Sequence, residues 1–270
     1  MRHTQRSWFV ARAAVVLLTA AGLSACDVMV NTVHGGRAQA EQTWARTYTL
    51  AGTDVAVEIV NTNGTINVEA VDGSSLEVKA VLTARGATEE DAKKTLAKVE
   101  MVEQADASRV RLQAKYPREL GRHGIEVTYT VRAPRSAKVT LENTNGHVKV
   151  NGVLAGLKAE TTNGSVHGEG LGNTVVATTT NGEIKIRMAS VGGDGVALET
   201  TNGGIDLKLP ADAKATLSAR CVNGGIKVAD LPFEKSGEGS RRKLDGAING
   251  GGAAVRLETV NGSIRVGGAT

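Results

Sequence analysis

Residues 157–168 read Leu157-Lys158-Ala159-Glu160-Thr161-Thr162-Asn163-Gly164-Ser165-Val166-His167-Gly168, an Asn-Gly pair between two short runs of alternating polarity. The pair recurs in the same setting at Asn63-Gly64, Asn145-Gly146, Asn181-Gly182, Asn202-Gly203, Asn223-Gly224 and Asn261-Gly262. From Asn145 onward the steps are 18, 18, 21, 21 and 38 residues. A period of roughly 20 residues is the mark of a stacked-repeat architecture.

Counting outward from each Asn turns the repeats into columns. Six residues before it stand Val57, Val139, Leu157, Val175, Val196, Leu217 and Val255; four before it stand Ile59, Leu141, Ala159, Ala177, Leu198, Ala219 and Leu257. Three after it come Ile66, Val148, Val166, Ile184, Ile205, Ile226 and Ile264; five after it come Val68, Val150, Gly168, Ile186, Leu207, Val228 and Val266. Each pair of columns is two residues apart and apolar, with Gly168 the single exception, so each run is a strand with one buried face. The buried phase is even before the Asn and odd after it. A straight strand cannot change phase, which makes the Asn-Gly a corner, with Gly supplying positive φ and Asn tolerating the left-handed region. Antiparallel hairpins with two-residue Asn-Gly turns are the alternative, but hairpins do not require equivalent residues to recur in register over so many repeats.

The expected fold is therefore all-β: a single-stranded β-solenoid of 18–21-residue coils, with one short capping or inserted helix. The column two before the Asn (Asn61, Asn143, Thr161, Thr179, Thr200, Cys221, Thr259) has inward parity, which makes Cys221 a core residue rather than a reactive thiol. The corner asparagines are expected to form a hydrogen-bonded ladder. One coil cannot stand alone: burying an aliphatic side chain contributes ~1.5–3 kcal/mol, while ordering costs about 1.5 kcal/mol per residue. Stacking must supply the rest, and the ends need caps. A helix over 89–104, begun by Thr88 and Asp91 with Ala92, Leu96 and Val99 on one face, is the candidate N-terminal cap. It belongs to an insertion at about 82–136, followed by strands at 109–115 and 125–132, with repeat coils over about 137–270 and a surface loop at 234–242.

The N-terminal residues read as a targeting signal. Arg2, Arg6 and Arg12 precede thirteen uncharged, mostly apolar residues, Ala13 to Ala25, too few to span a bilayer. Leu23-Ser24-Ala25-Cys26 resembles a bacterial lipobox, which implies a signal peptide over 1–25 and a lipidated Cys26 opening a tether over 26–45. An ordinary secretory signal with a chance Cys is the alternative. Asp27 favours retention at the periplasmic face of the inner membrane if the cell is Gram-negative. With Cys26 acylated, Cys221 is the one thiol left, and no intramolecular disulfide forms. Without the three signal arginines the chain holds 29 basic against 28 acidic residues, so no basic field argues for nucleic acid. Seven aromatic residues against 33 glycines suit a core of close-stacked aliphatic strands.

The phrase Ile59-Val60-Asn61-Thr62-Asn63-Gly64-Thr65-Ile66-Asn67-Val68, the segment Thr88–Gln104, the strand end Val131-Arg132-Ala133-Pro134 and the closing Gly250–Gly262 resemble the bacterial "putative adhesin" family, a domain of unknown function in exported and membrane-associated proteins. The resemblance covers residues 46–270. It implies a β-solenoid and brings no catalytic residues. Some members resemble components of envelope-stress pathways, which makes a signalling partner a second expectation.

Function is left to the outward columns. Four after the Asn come Asn67, Lys149, His167, Lys185, Asp206, Lys227 and Arg265; three before it come Val60, Glu142, Glu160, Thr178, Glu199, Arg220 and Glu258. Lys149, His167 and Lys185 form a row of like charge, costly unless something anionic sits on it; with Lys227 and Arg265 they are the candidate binding residues. A merely solvated face is the plain alternative. Glu183 and Asp206 lie on adjacent coils in different columns and beside cations, a poor arrangement for glycan cleavage. Gly192-Gly193-Asp194-Gly195 occurs once and lacks the next ligand of a calcium-binding repeat, and the five His residues lack metal-ligand spacing. The expectation is an envelope protein with no catalytic site, metal or cofactor. Its partners are the membrane, through the lipid, and an anionic envelope glycan or a protein.

Overall fold

The computed structural model describes residues 28–31, 38–52, 54–121, 124–238 and 240–269. The signal, Cys26 and Asp27 lie outside them. Alternating apolar residues make most of the described chain strand. In order come β1 (Val28–Asn31), β2 (Ala38–Thr49), β3 (Ala56–Val60), β4 (Ile66–Val71), β5 (Ser75–Gly86), helix α1 (Glu89–Leu96), β6 (Glu100–Ala105) and β7 (Arg109–Lys115). A short helix α2 (Arg118–Gly121) leads to β8 (Ile125–Pro134), β9 (Lys138–Asn145), β10 (Val148–Asn151), β11 (Leu157–Asn163), β12 (Val166–Leu171), β13 (Val175–Asn181) and β14 (Ile184–Met188). There follow β15 (Val196–Asn202), β16 (Ile205–Leu209), β17 (Ala215–Asn223), β18 (Ile226–Ala229), β19 (Phe233–Lys235), β20 (Lys243–Ile248), β21 (Ala253–Asn261) and β22 (Ile264–Gly268).

Among the described residues the strands form two eleven-stranded sheets, one ordered β1-β2-β5-β8-β4-β10-β12-β14-β16-β22-β18 and the other β19-β20-β17-β21-β15-β13-β11-β9-β3-β7-β6. Each Asn-Gly carries the chain from the second sheet into the first. The strands before and after it pair in parallel with their counterparts in neighbouring coils, Asn163 beside Asn145 and Asn181. All four apolar columns face the space between the sheets, buried throughout except for the half-buried Ile226 and Val228.

A single-stranded β-solenoid was expected; the two sheets are instead mixed. β5 runs antiparallel to β2 and β8, β6 to β7, and β20 to β17 and β19. Ala38–Ala45 of the expected tether is instead the first part of β2, paired along its length with β5. Nor is 82–136 an insertion. β7 and β8 pair in parallel with β3 and β4 and form the coil beneath them, so the chain returns under its first coil before climbing. The helix is shorter than its periodicity suggested. It ends at Leu96, and residues 100–105 form β6. Thr88 accepts the Asp91 N–H at 3.1 Å as its N-cap, and Ala92 and Leu96 are buried as α1 packs on β5 and β2.

The expected corner geometry holds in part. Gly64, Gly146 and Gly224 have positive φ, whereas Gly164, Gly182, Gly203 and Gly262 do not, and the corner asparagines are absent from the positive-φ residues. Glycine is required by close approach: a Cβ at Gly164 would collide with the Gly146 carbonyl oxygen, one at Gly182 with that of Gly164, and one at Gly203 with that of Gly182. That carbonyl is also where the next coil bonds. Thr179, Thr200 and Thr259 each donate a hydroxyl at 2.9 Å to the corner Gly carbonyl of the coil below, while Asn143 reaches Gly64 at 2.8 Å with its amide.

Candidate functional site

The asparagine ladder is complete. Asn145 Nδ2 donates to Asn63 Oδ1, Asn163 to Asn145, Asn181 to Asn163, Asn202 to Asn181, Asn261 to Asn202 and Asn223 to Asn261, all at 2.7–2.8 Å. Its order shows that the last coil made by the chain, β21–β22, lies between β15–β16 and β17–β18. The ladder is structural, since its amides are engaged with one another.

The same stacking aligns the outward column of the first sheet as Asn67, Lys149, His167, Lys185, Asp206, Arg265 and Lys227. Lys149, His167 and Lys185 are brought together as the spacing implied. Asp206 separates them from Arg265 and Lys227, and its neighbours are Lys185 and Arg265 rather than Lys185 and Lys227 as chain order suggested. Sequence reading also missed Arg187 and Lys208, paired side by side two residues further along β14 and β16. Counting six residues after each Asn finds both, and Glu169 with them.

Two open grooves meet on this face. One, of about 210 Å³, lies beside His167, Glu169, Lys185, Arg187, Asp206 and Lys208. The other, of about 380 Å³, runs past Asn67, Glu69, Thr130, Lys149, Asn151 and again His167 and Glu169. Lys185 is held by Glu183 at 2.8 Å, whereas Lys149 is exposed and forms no ion pair with a described residue. His167 is half-buried, and its Nε2 is sheltered from solvent with no hydrogen-bond partner. Burial, and then the positive charge of Lys185, holds its imidazole below the ordinary histidine range, with Glu183 pulling the other way. The row thus carries two cations with an imidazole between them whose Nε2 has no partner.

On the opposite sheet the outward column is acidic, with Glu142 beside Glu160 and Glu199 beside Glu258. Some of these carboxylates are engaged: Glu160 with Lys158 at 2.9 Å and Glu258 with Arg220 at 3.8 Å. Among the described residues no group of three or more His, Cys, Asp or Glu side chains is placed to hold a metal ion. Cys221 is buried, its thiol 3.9 Å from the Arg241 carbonyl, and burial raises its pKa. Cys26 cannot be placed.

A family profile described as Toastrack DUF4097 matches residues 126–267, from β8 to the end of the stack. The chain belongs to this family. Among curated proteins none matches. Solved structures of similar shape include a "putative cell adhesion protein" from Clostridium sporogenes ATCC 15579, 11% identical, with 84% of this chain and 100% of that one covered and a TM-score of 0.47. A "putative adhesin" from Bacteroides fragilis NCTC 9343 is 11% identical over 83% and 96% of the two chains, with a TM-score of 0.39. A "putative lipid binding protein" from Parabacteroides distasonis ATCC 8503 is 10% identical over 84% and 97%, with a TM-score of 0.26.

Proposed function

We propose that this member of the Toastrack family is a non-enzymatic binding protein of the cell envelope, held to a membrane by a lipid on Cys26. Its coil stack acts as a β-solenoid whose ribbed outer face binds anionic groups of an envelope glycan. The observation that carries this reading is the row Lys149, His167 and Lys185, brought to adjacent strands with the Lys149 ammonium unpaired and His167 Nε2 unsatisfied. The two lysines stand two strands apart on either side of His167, and an anion laid across them gains charge-assisted hydrogen bonds. The grooves beside the row are open and lined by polar and apolar side chains together, a shape that holds an extended ligand rather than enclosing a reacting one. Asp206, the one carboxylate of that column, sits between Lys185 and Arg265 with no second carboxylate beside it in the column.

The test is charge reversal of the row, Lys149→Glu, His167→Glu and Lys185→Glu together, with co-sedimentation against purified envelope polymers. Binding should be abolished in a protein that still melts cooperatively; retained binding would place the site elsewhere. Anchoring is read separately. Cys26→Ser should release the chain from membranes and remove the acyl mass from its mature N-terminus.

A further inference from the structure

The two grooves flank β12, whose His167 and Glu169 border both. Together they cross β8, β4, β10, β12, β14 and β16, six neighbouring strands of one sheet. At ~4.8 Å per strand the trough is about 24 Å long, and it runs along the stack rather than along any strand. That length suits an extended chain of several units and exceeds what a single small anion needs.

Across β10, β12 and β14 the chemistry of the outward column alternates, while Arg187 and Lys208 stand side by side on β14 and β16. Lys149 and Lys185 stand two strands apart, roughly 9.6 Å, with His167 midway. A neutral imidazole donates one hydrogen bond and accepts one, so it reads a hydroxyl and not a charge. A pyranose in an extended chain advances the polymer by roughly one inter-strand spacing. The trough is therefore graduated as charge, hydroxyl, charge, one sugar to a coil. Glu69 and Glu169 lie two residues further along β4 and β12, on the strands that present Asn67 and His167 rather than a lysine. Carboxylates there accept sugar hydroxyls and repel an anion on the intervening unit, which discriminates against a polymer charged at every sugar.

We infer that the trough binds a linear polysaccharide lying along the stack, with an anionic group on every second sugar seated on Lys149 and Lys185 and a hydroxyl of the sugar between them on His167. This deepens the anionic-surface reading and rests on it.

Calorimetry on the full chain tests it with four probes: a hyaluronan octasaccharide (alternating charge), an octagalacturonate (charge on every sugar), a neutral chitin-type oligosaccharide and polyglutamate of matched length. The alternating octasaccharide should bind at least tenfold more tightly than the fully charged one, and the neutral oligosaccharide should bind weakest. His167→Ala should remove most of that preference, His167→Gln should restore part of it, and Lys149→Ala and Lys185→Ala should weaken both acidic glycans. Equal or tighter binding of octagalacturonate overturns the alternating register while leaving an anion-binding face. Equal binding of polyglutamate overturns the glycan in favour of a general polyanion surface. If no anionic probe binds, and the charge-reversal variant behaves like wild type, both this inference and the reading beneath it fall.

Discussion

Between Asn145 and Asn202 the coils lie in space in the order in which the chain makes them, whereas at both ends the two orders part. At the N-terminal end β7–β8 sits beneath β3–β4, though it comes later in the chain; at the C-terminal end β21–β22 pushes in beneath β17–β18. The middle shows what one coil asks of the next: an Asn amide, a Thr hydroxyl and the bare Cα of a Gly, all within one corner. The ends show that complementarity, not chain order, chooses the neighbour. β21–β22 brings Thr259, which donates to Gly203 at 2.9 Å, while β17–β18 has Cys221 in that place and is the last of the Asn-Gly coils, with β20 and β19 beyond β17. A thiol is a weak donor. The coil least able to bond downward is therefore put where the fewest coils depend on it.

That contrast can be broken by substitution. Gly182→Val drives its side chain into the Gly164 carbonyl oxygen and should cost about 4 kcal/mol or more, while Gly225→Val, where a Cβ meets nothing within 4 Å, should stay within about 0.5 kcal/mol. Equal losses in urea denaturation would mean that the ends are packed as tightly as the middle. Leu141→Ala, in a side chain with no exposure, should cost about 3 kcal/mol, and Val228→Ala on the half-buried edge strand about 1 kcal/mol. Asn181→Ala cuts the ladder on both sides and should cost about 1.5 kcal/mol, against about 0.5 kcal/mol for Asn223→Ala, which ends it. Cys221→Thr should stabilise the terminal coil by about 0.5 kcal/mol if the hydroxyl finds the Gly262 carbonyl, a difference readable as a raised melting temperature.

The smallest expected effect is on pH dependence. His167 faces Lys149, Lys185, Glu183 and His147, with Glu169 on its own strand. Its folded pKa lies below the unfolded value of ~6.5, so the unfolded chain takes up the proton first as pH falls. The stability this group contributes is intact above ~6.5 and is lost as pH drops from there through the folded value. Denaturation midpoints at pH 7.5 and 5.5 should fall further apart in wild type than in His167→Gln. An identical shift in both would show that the imidazole is not held neutral.

The four apolar columns and the inward Asn/Thr/Cys column were legible because each is written at fixed distances from one corner, and burial followed them with only Ile226 and Val228 left half-covered at an edge. The Thr88 cap was legible for the same local reason. The role of the glycines was read only in part: Gly64, Gly146 and Gly224 supply the positive φ, and the other corner glycines do not. From one coil, Gly beside Asn signals a turn, and only the coil below reveals that its carbonyl occupies the place of a side chain. The site was legible as a column but not in its order. Asp206 acquires Arg265 rather than Lys227 as its neighbour through the insertion of β22 between β16 and β18, a choice made by the whole stack.

The sequence by itself determined that this chain is built of strands bent at Asn-Gly, which side chains face inward, and that cations would line one outward column. These follow from periodicity and parity, which are properties of the chain alone. Only the tertiary structure decided which coil touches which, why glycine stands at most of the corners, and that two grooves flank His167. Those depend on contacts between residues far apart in the chain, and a repeat whose corners are nearly alike leaves such contacts open until the ends are packed.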